Sequence, residues 1–471
     1  MINIDAPDFI KRTLNINGKK IDYCFFETVV SDDKVSNFLV KSLVKIINEA
    51  SIFDNLIKLI KNNLYNSNIK VLKDKDEIFY YLSSGFTCIF IKGYKEYIVV
   101  ETRETLDRGI TEPTSEVNIK GPKDSFTENH NKNIGLIRKR LKDPNLIIKD
   151  YRIGARSKSK VSVVYINDIV KIEYVKKIEE KLKSINTDAI LDAGYIRDFL
   201  TRDSRSHFPT VVNTERPDTV CASLLEGKIA ILVENTPFVL VIPGFLNNFL
   251  HAVEDSYQKA NNITMTRILR FMALLITILA PAFYVAITTY NQEVIPDKLL
   301  ISLAVQRAGV PFPTSFEVLI LMLTFEILRE SDLRLPESMG TSISIVGALV
   351  LGDAAVSAGI VSPIVVIVVA ISSITGLLFS DMDVVNALRW WKLIFLMFST
   401  FLGLVGFVIA FILFVTKLCS VEVLGIPYLT PFSPLDIKAL KDSFVAFPKN
   451  KMTTRAAYLT KNVKRGENNE N

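Results

Sequence analysis

The 471-residue chain is 49% hydrophobic and 23% charged, yet its mean hydropathy of +0.27 exceeds what an ordinary soluble domain with so many charges reaches. The apolar excess is therefore concentrated in part of the chain. A net charge of +6, from 56 Lys and Arg against 50 Asp and Glu, excludes the polyanion-binding surface of a nucleic-acid packager, and no nucleic-acid partner is expected. Cys24, Cys88, Cys221 and Cys419 stand far apart without CxxC spacing, which argues against a disulfide framework or zinc knuckle and leaves them as small buried apolar residues. His130, His207 and His251 are also dispersed, so no metal site is expected.

The amino terminus, MINIDAPDFIKR, lacks the basic and apolar regions of a secretory signal, which predicts a head made and kept in the cytosol. Residues 1–30 form an arm with no recognisable pattern. From there to Thr264 short periodic segments with frequent charges predict an α+β region. Val35, Phe38, Leu39, Leu43, Ile46, Ile47 and Ala50 recur at helical spacing and predict an amphipathic core helix, with Ser31 and Asp32 as caps. Thr87–Ile91 and Tyr97–Val100 predict one hairpin; Ile229–Val233 and Phe238–Ile242 predict another.

The segment from Tyr80 aligns with the segment from Ala222 at a constant offset, since Gly227 minus Gly85 is 142. In each, a helix stops at glycine, the residue suited to a left-handed C′ position, before its hairpin. Two related α+β subdomains follow, at 31–120 and 121–264. At the start of the second, Ser125 and Glu128 have capping-box spacing and Asp143-Pro144 supplies a stop, so a helix is expected there. Arg138, Lys139, Arg140 and Lys142 crowd its last turns, either as a solvated, dipole-matched helix end or as a face for a partner or lipid headgroup.

A transmembrane helical domain is expected at 265–418. Phe271–Tyr290 carries no charge, follows Arg267 and Arg270, contains Pro281, and is about the ~20 residues that cross a hydrocarbon core. Phe316–Leu328 is apolar apart from Glu317 and Glu326, Ser338–Ser380 has only Asp353 as a charge, and Leu393–Thr416 has none. The third stretch is long enough for two helices broken around Gly359–Pro363. Leu299–Val305 is too short to cross alone. Lys and Arg before the first span, Arg329 and Arg334 after the second, and the basic tail at 419–471 all prefer the cytosol. The number of crossings is therefore expected to be even, four or six, with the short piece or the break near Pro363 resolving the parity.

Polar groups at membrane depth are functional candidates by default. Asp353 lies among Gly347, Ala348, Gly352, Ala355, Ala358 and Gly359, with Ser357, Ser362, Ser372 and Ser373 nearby. A ring of such carboxylates selects for cations; the same small residues also suit tight helix packing. Asp353, Ser357, Gly359, Ser362 and Ser372 are the candidate ion-path residues. Glu317 and Glu326, nine positions apart, fall on opposite faces of one helix. Ion pairs at the membrane border are expected instead, Arg307 with Glu317 and Glu326 with Arg329 or a neighbour. The chain lacks GxSxG, HExxH, GxxxxGK[ST] and a GxGxxG after a strand, so it reads as a non-enzyme without a cofactor.

GPKDSFTENHNKNIGLIRKRLKDPNL, TERPD at Thr214–Asp218, LAPAFYVAITTYNQEVIP at Leu279–Pro296, PFPTSFEVLILMLTFEILRESDLRLP and SISIVGALVLGDAAVSAGIVSPIVVIVVA closely resemble the A subunit of GerA-type spore germinant receptors. The resemblance implies a spore inner-membrane protein acting with a permease-like, nutrient-binding B subunit and a lipoprotein C subunit. It further implies a homo-oligomer in membrane lipid that contributes a gated ion path. It makes Ser125, Glu128, Arg138 and Arg140 residues of a family motif helix. The alternative is a non-conducting scaffold for a spore membrane complex, including the related stage V sporulation protein AF type. A substrate-binding transporter would need paired broken helices in inverted repeats, and no convincing repeat of that kind is present.

Overall fold

The computed structural model describes residues 6–49, 56–64, 68–74, 76–104, 113, 116, 120–201, 206–252, 255, 257–332, 352–379, 381–440, 442–447 and 452–465. They form two units: 1–203 with 211–243 and 449–471, and 204–210 with 244–448.

The first unit is built on two five-stranded sheets. In the first, β1 (Phe9–Ile16) and β2 (Lys19–Phe26) form a hairpin. Asn17 (φ 50°) and Gly18 (φ 77°) both take the left-handed backbone that a two-residue type I′ turn requires. A π-helical stretch, Lys34–Val40, runs into α1 (Lys41–Glu49), followed by α2 (Leu56–Asn63), β3 (Ile69–Leu72), α3 (Asp76–Ser83), β4 (Phe86–Ile91) and β5 (Tyr97–Glu101). The antiparallel order is β1-β2-β4-β5-β3. The expected arm at 1–30 therefore does not stand apart: its residues 9–26 supply two strands of this sheet. In β2, Ile21, Tyr23, Cys24, Phe25 and Phe26 are all buried, so alternation holds only at its start, and Asn17-Gly18 is the local signal of the hairpin.

The second subdomain opens with α4 (His130–Arg140), then β6 (Leu146–Ile153), β7 (Ser159–Ile166), α5 (Ile172–Lys183), α6 (Ala193–Thr201), β8 (Val212–Thr214), α7 (Pro217–Leu225), β9 (Ile229–Val233) and β10 (Val239–Ile242). Its sheet order, β6-β7-β9-β10-β8, repeats the first strand for strand. Gly85 (φ 86°) and Gly227 (φ 92°) occupy the same left-handed position in the two copies.

Each sheet is covered by helices whose apolar stripes meet its inner face. Val35, Leu39, Leu43, Ile46 and Ile47 are buried as the periodicity predicts, but Phe38 is 56% exposed. The π turn takes the chain out of α phase there, which rotates Phe38 off the stripe. Ala50 lies outside the described residues.

The second unit is helical: α8 (Leu246–Leu250), α9 (Ala260–Thr289), α10 (Asp297–Arg307), α11 (Thr314–Asp332), a helical turn at 352–357, α12 (Pro363–Gly376) and α13 (Met382–Ser420). Ala260–Thr289 and Met382–Ser420 are long and apolar enough to cross a membrane. The 338–351 part of the third apolar stretch lies outside the described residues. Val285, Val318, Val361, Val365, Val369 and Leu396 form a shared core.

The apolar run at Leu393–Thr416, expected as one crossing, folds back on itself. Gly403 has non-helical angles (φ 59°, ψ −137°). The rings of Trp391 and Phe414 stand 5.0 Å apart and those of Phe395 and Phe407 5.7 Å apart, where a straight helix would separate Trp391 from Phe414 by ~34 Å. A Cβ at Gly403 would stand 2.7 Å from Tyr290 Cβ, so only glycine makes this turn. The two arms, 382–402 and 404–420, thus supply an extra leg that hydropathy alone does not reveal. Arg267, near the start of α9, donates to Asp442 O at 2.7 Å, so the chain enters and leaves the helical unit at the same end. The fold-back at Gly403 turns one apolar run into two antiparallel arms.

Candidate functional site

The third apolar stretch breaks where the sequence placed the break. The 352–357 turn ends at Gly359, whose φ of 66° a side chain would strain. Ser362 and Pro363 then start α12, with proline at the first helical position, where its missing N–H costs nothing. The new N-terminus needs an acceptor. Glu317 of α11, fully buried, provides it: one carboxylate oxygen accepts from both Ser362 N–H and Ser362 Oγ at 2.8 Å.

The other oxygen of Glu317 faces Arg307 Nε at 3.7 Å across the Gly309–Pro313 turn. Tyr284 Oη, Thr314 Oγ1, Arg307 Nε and this second Glu317 oxygen are all buried without a hydrogen-bond partner among the described residues. Tyr284 also lines an apolar cavity with Leu299, Leu303, Ile364 and Ile371. The break thus gathers one carboxylate, one guanidinium and three hydroxyls from α9, α10, α11 and α12, in surroundings where unpaired polar groups are costly.

The five ion-path candidates divide. Asp353 and Ser357 lie on the exposed surface of the 352–357 turn and Gly359 is half-buried beside Gly309. Ser362 and Ser372 are fully buried; Ser362 serves Glu317, and Ser372 Oγ donates to Thr277 O at 2.8 Å. Glu326 is held by Arg389 of α13 at 2.6 Å, with Lys392 at 4.0 Å. Arg389, rather than Arg329, makes the close ion pair: a side chain of α13 reaches α11 across a separation of 63 positions that sequence neighbours do not show.

In the motif helix the capping-box expectation fails. The N-cap of α4 is Asn129, whose side chain accepts from Lys132 N–H at 3.1 Å. Ser125 is buried upstream and Glu128 is exposed. Arg138 is neither a solvated helix end nor an outward binding face. Its guanidinium is 1% exposed, grips Asp8 through Nε and Nη2 at 2.6 and 2.7 Å, and stacks 4.0 Å over Phe26. Thr28 Oγ1 also donates to Asp8. Arg140 pairs with Asp124 at 2.5 Å. In the TERPD motif, Arg216 is fully buried, with Asp218 at 2.9 Å and Pro122 O at 2.8 Å. Asp8, Tyr284 and Arg389 carried no sequence signal of these roles; Arg216 and Asp218, two apart in one short motif, did.

Charged and titratable groups buried in the head are tuned by their surroundings. Burial, then the Lys160 charge, lowers His130 to about 4. Ser162 donates to Asp150 at 2.5 Å, so His130 Nε2–H donates to Ser162 Oγ at 2.7 Å and the imidazole is neutral. Burial raises Glu116, which accepts from Thr214, to about 7. Cys24 faces Cys88 across β2 and β4, and that contact, with burial, pushes the Cys88 thiol up. Cys221 is buried as well, whereas Cys419 is exposed, contrary to the reading of all four as core residues. Among the described residues no cluster of metal-ligating side chains occurs.

The family described as "Bacillus/Clostridium GerA spore germination protein" matches residues 2–458. Spore germination protein KA of Bacillus subtilis (strain 168) is 38% identical over 391 residues, covering 83% of this chain and 72% of the relative. Spore germination protein GerLA of Bacillus cereus is 39% identical over 376 residues, covering 80% and 76%. Among solved structures, the N-terminal domain of the A subunit of the Bacillus megaterium spore germinant receptor GerK3 is similar at 29% identity and a TM-score of 0.40, covering 50% of this chain and 88% of that one. Matched over nearly its whole length and more than a third identical to two such relatives, the chain belongs to the GerA family of spore germination proteins.

Proposed function

We propose that this chain is the A-type subunit of a spore germinant receptor. In this reading it lies in the spore inner membrane with its α+β head on the cytosolic, spore-core side. It works with a permease-like B subunit and a lipoprotein C subunit and assembles as a homo-oligomer in membrane lipid. Its role is non-enzymatic: the helical unit contributes a gated cation path that opens when a partner binds nutrient. A ligand opens such a path only by binding the open assembly more tightly than the closed one.

The observation that carries this reading is the broken helix of an apolar unit, with exposed Asp353 and Ser357 before the break and a buried Glu317 behind it, in a chain whose relatives are spore germination proteins. An acidic side chain on the outside of a small-residue turn needs water or a partner subunit. Asp353→Asn in sporulated cells should lower monovalent cation release at unchanged protein level; normal release would remove Asp353 from the path.

The scaffold reading, including the stage V sporulation protein AF type, is favoured by the buried hydroxyls of Ser362 and Ser372, which are used up inside the helical packing. Replacing Ser357 or Gly359 by larger residues separates the two. A conducting subunit leaks or jams while still assembled with its partners, whereas a scaffold loses them.

A further inference from the structure

In the first repeat the chain leaves β5 and passes at once beside the corner that follows β2. Ser31 N–H donates to Thr102 O at 2.9 Å and Glu104 N–H to Val29 O at 3.1 Å. Val30 and Arg103 form an antiparallel bridge, and Arg103 Nε donates to Ser84 O at 2.8 Å. Gly85 lies against this segment: a Cβ there would stand 2.9 Å from both Arg103 Cβ and Val29 O.

In the second repeat β10 is followed by Pro243 and Gly244, and the chain departs for the helical unit. The equivalent slot is nonetheless filled, by residues from the far end of the chain. Val170 bridges Thr460, Lys461 N–H donates to Ile169 O at 3.0 Å, and Thr460 Oγ1 donates to the same oxygen at 2.7 Å. Arg455 Nε donates to Leu225 O at 2.7 Å, much as Arg103 does to Ser84. Gly227 would place a Cβ 3.2 Å from Leu459 O and Thr460 Cβ. Lys171 Nζ and Tyr174 Oη both donate to Tyr458 O, two positions before the Thr460 bridge, while Lys34 Nζ donates to Arg103 O at the bridge itself. Val29, Val30, Gly85 and Glu104 thus have counterparts in Ile169, Val170, Gly227 and Lys461.

We propose that the second repeat carries a docking slot for an extended segment and that the C-terminal segment of this chain, residues 452–465, is its reversible occupant. The slot recognises backbone: most of its bonds run to carbonyl oxygens, as in strand addition to a sheet edge. Among the described residues of the segment only Leu459 and Thr460 are buried. Its cations stay outside, where Arg465 pairs with Glu226. This segment is not continuous with the strands that form its slot, so it can leave without pulling on them, whereas the filler of the first repeat is continuous with β5. Release bares the corner at Ile169 and Val170 for another extended segment.

Two measurements on the full-length chain in detergent test this. In the unmodified protein, amide exchange at Lys461 should be faster than at Glu104, its counterpart; equal protection overturns reversibility. In the pair Val170→Cys with Thr460→Cys, oxidation should give an intramolecular cross-link, with Val30→Cys and Arg103→Cys as the continuous-chain control. A synthetic peptide of residues 452–465 at about the millimolar effective concentration of a tethered segment should lower the 170–460 yield about twofold and leave the control unchanged. A yield unaffected by peptide, a failure to cross-link while the control succeeds, or a dimer-sized product in place of the intramolecular one each overturn the proposal.

Discussion

The two α+β repeats use the same corner differently. Over Gly85 the sealing residues follow β5 directly, while over Gly227 they arrive from beyond the helical unit. At the other end of each repeat, Glu27 N–H donates to Asp8 O and Asn167 N–H to Asn145 O, both at 2.9 Å. Among the described residues, the first repeat adds a side-chain grip there, Asp8 on Arg138 of α4. Backbone registers and left-handed glycines therefore carry the shared architecture. Chain continuity and side-chain charge are where the copies diverge.

The largest test of that divergence is Arg138→Ala, which leaves the Asp8 carboxylate buried and unpaired. It should destabilise the head by about 3–5 kcal/mol, seen as a lowered unfolding midpoint. If Asn145→Ala, at the equivalent place in the second repeat, costs as much, the asymmetry is not electrostatic.

Histidine sharpens the contrast, because the first repeat has none. His130 is lowered to about 4 in the folded head against about 6.5 when unfolded. The unfolded chain therefore binds more protons between those values, and stability falls as pH drops from about 6.5 to 4, by up to about 3 kcal/mol. Glu116, raised to about 7, has the opposite sign: its contribution is full at low pH and is lost as pH rises through 7. His130→Gln should thus be more acid-stable relative to wild type in equilibrium unfolding across that window. An unchanged pH profile would mean that His130 titrates alike in the folded and unfolded chains.

The glycines give a smaller effect. Gly85→Ala should cost about 2 kcal/mol and Gly227→Ala about 1, since both strain a left-handed residue but the first also meets a carbonyl oxygen more closely. Reversed magnitudes in denaturant titrations would make the second corner the tighter one. Smallest is Thr460→Val, which removes a buried hydroxyl bond to Ile169 O at a cost of about 1 kcal/mol; local hydrogen exchange around Ile169 and Val170 reads it.

The hairpin pair, the offset of 142 and the left-handed glycines were legible in the sequence because local turn chemistry and strand alternation write them. So was the helix break before Pro363, where glycine and proline punctuate an apolar run. Phe38 was misplaced because a π turn changes the helical phase without changing composition. The reversal at Gly403 was hidden inside a run with no charged residue to mark it. Arg138 looked like one of four cations on a helix end; its burial depends on Asp8, a residue 130 positions away. At the helix break, Arg307 and Glu317 were readable across a short turn, but Tyr284 joins them only through packing.

The place of Thr460 also sets an order of events during synthesis. The corner of the first repeat can be filled as soon as residue 104 has left the ribosome, while that of the second waits for residues 460 and 461. The whole helical unit is therefore made while that corner is still open, and a nascent chain stopped before residue 460 leaves Ile169 and Val170 uncovered.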